Sequence, residues 1–556
     1  MISYSSDLMI YKGLSKSYLE DYNSVKELYN YNFKDENDLL KRVSKLENTS
    51  FDRESLHKAL VEINEQFTCS VKTKDNIESI KNNETLVVVT GQQAGIFTGA
   101  CYTIYKAITT IKLAKETSDK LGRKVVPIFW IASEDHDFEE IRQLNYVVNG
   151  KIKNLKINKK PDLETKTKNK FNYSFLKESI GDIQVNKSVY DSIEGFINDV
   201  SDHSDVELLE KLLKSTITEK ESLANWFGKI MAKLFYDYGL VFLDPMNKTI
   251  REMESSFFEK VINCQDQINE AFLKNTNKVI EMNHKPMIEF EENALGLFTY
   301  YGGERLMIKK AGKDEYNLES QEGIVTLTKA ELLTIAKENP VALSTNVVLR
   351  PVVQDIILPT IAYVAGPGEM QYYSQLSSVY SVFDMEMPII YPRENFTLIS
   401  KEITGILEGL DVSGDDFILF GLDKIKSMLL EKNDDIQIDN LFDEFSSKFN
   451  GEYNELIDKI LEISPDIRPL ADKNIGLINN QVKYLREKAH RFHRRNNKDI
   501  LEDLKVVENN ITPFGNLQER EFSIINYINN DNKNLLEYII NDLKIDYKHR
   551  IIKMGI

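Results

Sequence analysis

Residues 86–99, LVVVTGQQAGIFTG, join a short apolar run to a glycine-rich segment. The β-branched run at 86–90 is typical of a strand buried in a parallel sheet, and it ends at Gly91. Apolar residues then recur at helical spacing over 104–114, and a second apolar run, VVPIFWIA, occupies 125–132. Strand, helix and strand within about 45 residues predict a βαβ unit, whose crossover should be right-handed.

Two later stretches repeat this alternation. LVFLDP at 240–245 follows a predicted helix over 223–236, and PIIYP at 388–392 follows a predicted helix over 371–383. Alternating strands and helices favour an α/β fold in which an open, mostly parallel sheet carries helices on both faces.

Two segments interrupt this pattern. Residues 150–220 are rich in Lys, Asn, Asp and Ser, and residues 285–340 contain short strand-like pieces. We therefore predict a core domain over 1–399 with insertions at about 150–220 and 285–340.

From about residue 400 the apolar spacing becomes helical. One stripe keeps steps of three or four: Leu441, Phe445, Phe449, Tyr453, Leu456 and Ile460. After Pro465 and Pro469, a second stripe follows a heptad pattern: Ile478, Val482, Leu485, Ala489 and Phe492. Residues 400–512 are therefore predicted to form an α-helical antiparallel coiled coil, and 513–556 to return to the core. The hairpin either pairs with a partner, most simply a second copy of the chain, or packs on its own core.

Composition narrows the class of protein. The chain has 556 residues, 42% hydrophobic and 28% charged, which is globular and excludes a disordered chain or a disulfide-stapled mini-protein. A net charge of −17 argues against binding duplex DNA or an anionic membrane. The three cysteines, Cys69, Cys101 and Cys264, lack a CxxC pattern, and no apolar run approaches a membrane span. With no signal peptide recognisable, we expect a cytoplasmic protein.

The segment between the first strand and its helix is the first candidate binding site. In open α/β sheets ligands bind beyond the carboxyl ends of the strands, where glycines allow close backbone approach and a helix N-terminus attracts anions. The pattern is neither G-x-G-x-x-G nor a Walker A motif. An ordinary turn would explain the glycines, whereas the paired amides of Gln92 and Gln93 favour a polar ligand.

A second candidate site, Glu134-Asp135-His136-Asp137, follows the strand at 125–132. An imidazole oriented by a carboxylate can act as a general base, contact a phosphate or help to hold a substrate amine. Helix capping explains the acids but not the imidazole. A single local histidine is weak evidence for a metal, and we expect none.

A third candidate group surrounds Arg350, which follows a predicted apolar strand and can bind a carboxylate or phosphate through two N–H groups. Gln354 lies one helical turn later, and Glu369 follows a Gly-Pro-Gly turn with Tyr372 close behind it. Glu369 could bind a substrate amine. A capping acid and a structural ion pair are the alternative. The basic stretch 483–498 is either a solvated coiled-coil face, a phosphate or nucleotide site, or a surface for an acidic partner.

Five segments resemble one family in the same order along nearly the whole chain. They are TGQQAGIFTGACYTIYKAI (90–108), PIFWIASEDHDFEEI (127–141), LSTNVVLRPVVQDIILPTIAYVAGPGEMQYYSQL (343–376), PIIYPRENFTLI (388–399) and PFGNLQER (513–520). Together they resemble the family of the bacillithiol biosynthesis cysteine-adding enzyme, BshC. The chain departs from the family pattern at Ala100-Cys101 and Asp355.

This resemblance implies a ligase that adds L-cysteine to glucosaminyl-malate and so forms bacillithiol. It also implies a Rossmann-like core with connecting-peptide insertions, and a coiled coil that pairs two protomers into a homodimer. Making an amide from a free carboxylate requires activation of that carboxylate, so ATP with Mg²⁺ is expected as a co-substrate. The HIGH and KMSKS motifs of class I aminoacyl-tRNA synthetases are not found.

The resemblance and the chemistry suggest roles for individual residues. His136, oriented by Asp135 or Asp137 and accompanied by Glu134, is the candidate catalytic group that either deprotonates the amine or contacts the activated group. Arg350 and Arg393 are candidates for the malate carboxylates. The remaining expected substrate- or nucleotide-binding residues are Thr90, Gln92, Gln93, Gly95, Thr98, Gly99, Gln354, Glu369 and Tyr372.

Two alternative functions remain at this point. One is a different ATP-dependent ligase or nucleotidyl-transfer enzyme on the same core. The other is a non-catalytic coiled-coil scaffold that only binds a ligand. Clustered titratable groups at a strand end favour an enzyme.

Overall fold

The computed structural model describes residues 2–135, 137–157, 183–201, 206–218, 221–301, 304–321, 323–529 and 534–555. The chain divides into two compact units. The larger unit comprises Met1–Val148, Lys153–Thr397 and Glu519–Gly555, and the smaller one Asn149–Ile152, Leu398–Gln518 and Ile556.

The strands are numbered in chain order. They are β1 (Ile2–Leu8), β2 (Leu86–Gln92), β3 (Val125–Ile131), β4 (Gln143–Val148), β5 (Lys151–Lys156), β6 (Val241–Leu243), β7 (Ala294–Tyr301), β8 (Glu304–Lys310), β9 (Glu315–Ser320), β10 (Gly323–Thr328), β11 (Leu343–Thr345), β12 (Thr360–Ala365), β13 (Ile389–Pro392), β14 (Asn395–Ile399) and β15 (His549–Lys553).

The α-helices are numbered in the same way. They are α1 (Gly13–Glu20), α2 (Glu36–Glu47), α3 (Arg53–Asn64), α4 (Val71–Ser79), α5 (Cys101–Leu121), α6 (Phe138–Ile141), α7 (Lys187–Ser201), α8 (Glu207–Thr216), α9 (Leu223–Leu234), α10 (Lys248–Met253), α11 (Ser255–Asn263), α12 (Gln265–Glu281), α13 (Lys329–Glu338), α14 (Arg350–Ile357), α15 (Pro367–Tyr373), α16 (Ser377–Val382), α17 (Lys401–Leu410), α18 (Gly414–Lys432), α19 (Ile438–Ile460), α20 (Arg468–Asn496), α21 (Lys498–Ile511), α22 (Gln518–Glu521) and α23 (Leu535–Asn541).

The centre of the larger unit is a five-stranded sheet in the order β13-β12-β2-β3-β6. All four neighbouring pairs are parallel. The β2–α5–β3 unit lies where the sequence predicts it, because β2 begins with a buried apolar run and the left-handed Gly122 caps the end of α5. The predicted α/β fold with a parallel sheet is confirmed.

The strand β12 corrects the sequence-based count of core strands. It lies between β2 and β13 in the parallel sheet, but its apolar run follows a helical pattern without a clear break. A short apolar run of this kind cannot be told from a buried helix segment by periodicity alone. The helix predicted over 371–383 is likewise two helices, α15 and α16, separated by a turn.

Side chains of the helices α2 and α5 cover one face of the parallel sheet. Val88 and Val364 of the sheet pack in one buried cluster with Val43 and Leu46 of α2 and with Leu113 of α5. Alternate residues of a strand point to opposite faces, so one strand contributes to two packing layers. Phe129 of β3 accordingly packs elsewhere, against the rings of Phe227 and Phe242.

The two predicted insertions contain secondary structure of their own. Residues 285–340 hold strands of a second, antiparallel sheet in the order β10-β9-β8-β7-β11. The described part of 150–220 holds β5, α7 and α8, and β5 pairs with β4. A further sheet has the order β1-β15-β14, in which β1 and β15 are antiparallel, so residues 549–553 pair with residues near the start of the chain.

The smaller unit is helical, and α19 and α20 form an antiparallel hairpin. Arg486 of α20 binds Asp439 and Asp443 of α19, while Tyr453 of α19 donates to the carbonyl of Ala471. A residue late in α20 thus contacts the start of α19, and a residue early in α20 contacts a later part of α19, so the two helices are antiparallel. This confirms the predicted helical coiled-coil region. Part of the basic stretch 483–498 is therefore neutralised by acids of the same hairpin.

No helix in the described part of the chain combines the length and the apolar character that crossing a membrane requires.

Candidate functional site

A cavity of about 650 Å³ lies in the larger unit, at the carboxyl ends of β2, β3, β12 and β13. The chain leaves β2 towards β3, whereas it leaves β12 towards β13 on the other side of the sheet. This reversal makes the boundary between β2 and β12 a topological switch point, where open α/β sheets bind ligands. The volume is that of a site for a small molecule.

Seven of the residues singled out in the sequence line this cavity: Gln92, Gln93, Glu134, Asp135, Arg350, Glu369 and Arg393. His136 lies outside the described residues. Asp137 caps α6 by accepting from the amide of Glu140.

The other residues of the predicted 90–99 loop contact protein groups around the cavity. Thr90 donates to the carbonyl of Val364 and so ties β2 to β12. The hydroxyl of Thr98 lies 3.3 Å from that of Ser523. A Cβ at Gly95 would approach the Cα of Gly99 to 2.7 Å, so the loop needs a glycine there.

The turn after β3 places Glu134 against a buried arginine. Arg251 of α10 contacts Glu134 and, at 2.6 Å, Glu254, and all three side chains are buried. Burial lowers the pKa of the Arg251 guanidinium, but Glu254 and Glu134 outweigh that effect and raise it, so this group stays charged. Glu134 thus has a fixed cation beside it, which suits an orienting role better than proton transfer.

Beyond Glu134, the two side-chain amides after β2 meet the acids after β3. Gln93 donates from Nε2 to Asp135 Oδ2 at 2.8 Å and to Glu140 Oε2 at 2.7 Å. Gln92 donates to Gln93 Oε1 at 3.0 Å. The two candidate groups recognised separately in the sequence are therefore one hydrogen-bonded group.

The carboxyl end of β12 holds Glu369. Its carboxylate accepts from the amide of Gly366 at 2.8 Å and from the hydroxyl of Tyr363 at 2.8 Å. It also forms an ion pair of 2.6 Å with the buried Lys106. Burial raises the pKa of Glu369, but Lys106 and these hydrogen bonds outweigh it and leave the pKa below its usual range. Glu369 is thus an ionised carboxylate already bound by a lysine.

Arg350 is placed differently from the sequence expectation. It does not directly follow a strand but is the first residue of α14, after a turn in which Asn346 Oδ1 accepts from the amides of Val348 and Leu349. Its guanidinium donates to the hydroxyl of Tyr372 at 3.0 Å and to Gln354 Oε1 at 3.3 Å. Within the described residues it forms no ion pair with a carboxylate, so its hydrogen bonds go to neutral oxygens, and Glu369 acts on its charge only from a longer distance.

Arg393 is also placed differently from the expectation. Both of its terminal nitrogens bind Glu519, at 2.9 and 2.5 Å, and both side chains are buried. Since its fork is already occupied by a carboxylate, Arg393 suits a structural role more than malate binding.

Sequence reasoning missed several cavity residues. Lys106 lies inside an apolar helix pattern, where a lysine is normally taken for a surface residue. Arg305 belongs to β8, and its guanidinium carbon lies 3.8 Å from the centroid of the Phe298 ring. Arg520 reaches the cavity from α22, more than a hundred residues from any other group of the site. Only the resemblance of 513–520 to the family pattern drew attention to that last segment.

The wall opposite the strand ends is apolar. It is formed by side chains of α12, the segment after it, the antiparallel sheet and the residue before α14: Ile268, Phe272, Phe290, Phe298, Met307 and Leu349. The cavity thus combines charged groups at the strand ends with an apolar wall.

Two buried polar atoms in the cavity wall have no hydrogen-bond partner among the described residues. They are the indole nitrogen of Trp130 and the hydroxyl of Thr345. A buried donor without a hydrogen-bond partner is costly. Across the described ranges, His, Cys, Asp and Glu side chains form no group of three or more that could hold a metal ion.

Comparison with known proteins gives a consistent result. Residues 1–394 match the family described as bacillithiol biosynthesis BshC, N-terminal Rossmann-like domain. Residues 396–554 match bacillithiol biosynthesis BshC, C-terminal coiled-coil domain.

Individual relatives cover almost the whole chain. A protein of Symbiobacterium thermophilum named "Putative cysteine ligase BshC" is 33% identical over 556 residues, covering 97% of each chain. A protein of Desulforamulus reducens with the same name is 32% identical over 544 residues, covering 96% of each. The solved structure of an arginyl-tRNA synthetase from Campylobacter jejuni covers 85% of this chain and 98% of its own, with 10% identity and a TM-score of 0.23, too low to support a structural comparison.

Proposed function

Because the chain belongs to the bacillithiol biosynthesis BshC family, we propose that it is a cytoplasmic cysteine ligase acting on glucosaminyl-malate. The reaction joins the carboxyl carbon of L-cysteine to the amine nitrogen of the sugar. One N–C bond forms, the group that activates the cysteine carboxylate leaves, and the amine gives up a proton.

The observation that carries this proposal is the charge layout of the cavity. Arg350 brings a guanidinium that has no carboxylate partner in the described structure, and Arg520 adds a second cation at the same cavity. Asp135 brings a carboxylate from the neighbouring strand end. A substrate with carboxylates at one end and an amine at the other matches that arrangement.

Substrate binding and proton removal are assigned to different residues in this proposal. Arg350 would bind a malate carboxylate, and Asp135 would hold the amine close to the activated cysteine. His136, next to Asp135 in the sequence, remains the proposed base that takes the proton of the amine. Removing that proton before attack is general base catalysis, which contributes typically 10²–10⁴-fold.

We also propose that the cysteine carboxylate is activated by ATP with Mg²⁺. The support is chemical, since a free carboxylate does not form an amide without a leaving group. Arg305 is a candidate for a phosphate contact, because a guanidinium group suits phosphate oxygens.

Product analysis tests the proposed function. Purified protein is incubated anaerobically with glucosaminyl-malate, L-cysteine and Mg-ATP, and products are identified by mass spectrometry. We expect the cysteinyl amide together with AMP, from an adenylate route, or ADP, from an acyl phosphate. Product without ATP would contradict the activation step. Saturable binding of glucosaminyl-malate without product under any donor would contradict the ligase and favour a ligand-binding scaffold.

For the smaller unit, we propose that two copies of the chain pair through the hairpin α19–α20. Large apolar side chains remain exposed along it, among them Leu441, Phe445, Leu485 and Phe492. A row of exposed apolar side chains of this size is typical of an interaction surface.

Sedimentation velocity tests the pairing. We expect a dimer for the unaltered chain and a monomer for the double variant Leu485→Glu/Phe492→Glu, because two buried charges oppose an apolar interface. Lys459→Glu, on α19 but outside the apolar stripe, is the matched control and should stay dimeric. A monomer for the unaltered chain at micromolar concentration would contradict the proposal.

A further inference from the structure

Lys106 is a buried lysine that uses all of its protons within the protein. Its ammonium nitrogen lies 2.9 Å from the carbonyl oxygen of Gly91, 2.9 Å from Gln92 Oε1 and 2.6 Å from Glu369 Oε2. An ammonium group has three donors, so none is left for a substrate. Burial lowers the pKa of Lys106, and Glu369 opposes that effect.

The lysine fixes the orientation of the two glutamine amides. Because an ammonium only donates, the oxygen of the Gln92 amide must face Lys106, and its nitrogen then faces Gln93 Oε1. The nitrogen of Gln93 is therefore left to donate to Asp135 and to Glu140. Ionised carboxylates only accept, so the direction of the chain is set at both ends. We call Lys106, Gln92 and Gln93 the amide relay.

The far end of the amide relay is a pair of acids bridged by one donor group. Gln93 Nε2 carries two hydrogens and donates one hydrogen bond to each carboxylate, Asp135 and Glu140. The pKa of Glu140 lies above its usual value, because partial burial, Asp135 and Asp137 raise it by more than the bond from Gln93 lowers it. Without the amide, two neighbouring carboxylates would compete for one proton.

We propose that Lys106 is a positioning residue that acts through the amide relay to keep Asp135 and Glu140 ionised as the subsite for the substrate's amine. This inference rests on the proposed function for the identity of the amine, but not for the relay itself. It connects Glu369 at the end of β12 with Asp135 at the end of β3. A change at Glu369 should therefore alter the ionisation of Asp135.

The groups that face the acid pair come from three elements. Asp137 belongs to the turn before α6, Lys106 and Tyr102 belong to α5, and Arg520 comes from α22 and lines the same cavity. Among the hydrogen bonds given by the described residues, those of Gln93 in the amide relay reach both acids, Asp135 and Glu140.

Two replacements at Gln92 test the relay. Gln92→Glu keeps an acceptor for Lys106 but removes the donor to Gln93, and Gln92→Met removes both without adding a charge. We expect each to raise KM for glucosaminyl-malate about tenfold with kcat little changed. The acidic limb of kcat/KM should move to higher pH, because the acids hold their protons longer. Glu139→Gln, which removes an exposed carboxylate bound to Arg142, is the matched control and should change neither.

A measurement without substrate separates the relay from the proposed function. Raised folded-state pKa values make the folded protein lose stability as pH rises, so the Tm deficit of Gln92→Met should be larger at pH 8 than at pH 5, by about 1–2 °C. An equal deficit at both pH values would overturn the relay even if the enzyme makes product. A larger deficit at pH 8 in a protein that makes no product would support the relay and contradict only the ligase.

Discussion

Replacement of Arg393 by methionine is expected to lower the free energy of unfolding of the larger unit by about 3–5 kcal/mol. The replacement leaves the buried carboxylate of Glu519 without its cation. Breaking a buried ion pair on one side costs far more than the pair contributes as a whole, since an uncompensated charge stays in the interior. Arg393 and Glu519 also join β13 to a segment far away in the sequence.

Urea unfolding followed by tryptophan fluorescence measures this loss. The chain has two tryptophans, and both Trp130 and Trp226 are buried in the larger unit, so the signal reports that unit alone. The double variant Arg393→Met/Glu519→Met removes both charges and should recover most of the loss. An Arg393→Met protein with an unchanged urea midpoint would show that the pair does not hold the unit together.

Replacement of Arg350 by glutamine is expected to raise KM for glucosaminyl-malate about 100-fold, with a much smaller change in kcat. Tyr372 and Gln354 hold the guanidinium through neutral oxygens, so a substrate carboxylate would be its first anionic partner. Losing a bidentate contact to a carboxylate in a half-buried cavity accounts for an effect of that size.

A substrate analogue decides which group Arg350 binds. Methyl glucosaminide lacks the malate carboxylates, so Arg350→Gln and the unaltered enzyme should use it equally poorly. Arg468→Gln, an exposed arginine at the hairpin turn, is the matched control. A rise in KM for ATP instead of the sugar would contradict the malate assignment and place the nucleotide at Arg350.

The sequence predicts the parts of the fold whose patterns are local. β2, α5 and β3 have clear periods and clear ends, so both the elements and their parallel pairing follow from the sequence. β12 could not be found in this way, because its short, mostly apolar run resembles the helical runs around it. Where a strand lies in a sheet depends on long-range pairing, which periodicity does not contain.

The candidate site shows the same division. Gln92, Gln93 and Asp135 follow strand ends, and the rule that ligands bind there brings them together in advance. Lys106 could not be recognised, because its role depends on Glu369, more than 250 residues later, and on burial that a helix pattern does not reveal. Arg393 shows the reverse error, since a promising arginine proved to be satisfied by Glu519.

The pairing of β1 with β15 and of Arg393 with Glu519 has a consequence for synthesis on the ribosome. All five strands of the parallel sheet leave the ribosome before Glu519 does. More than a hundred further residues are therefore synthesised before the ion pair between Arg393 and Glu519 can form. During that interval the nascent larger unit lacks a sheet neighbour for β1 and a counter-ion for a buried arginine. Domains generally fold as units during translation. Here the larger unit can complete its fold only after the helical unit has been made, so a chain interrupted within the hairpin would expose an unfinished core to chaperones and proteases.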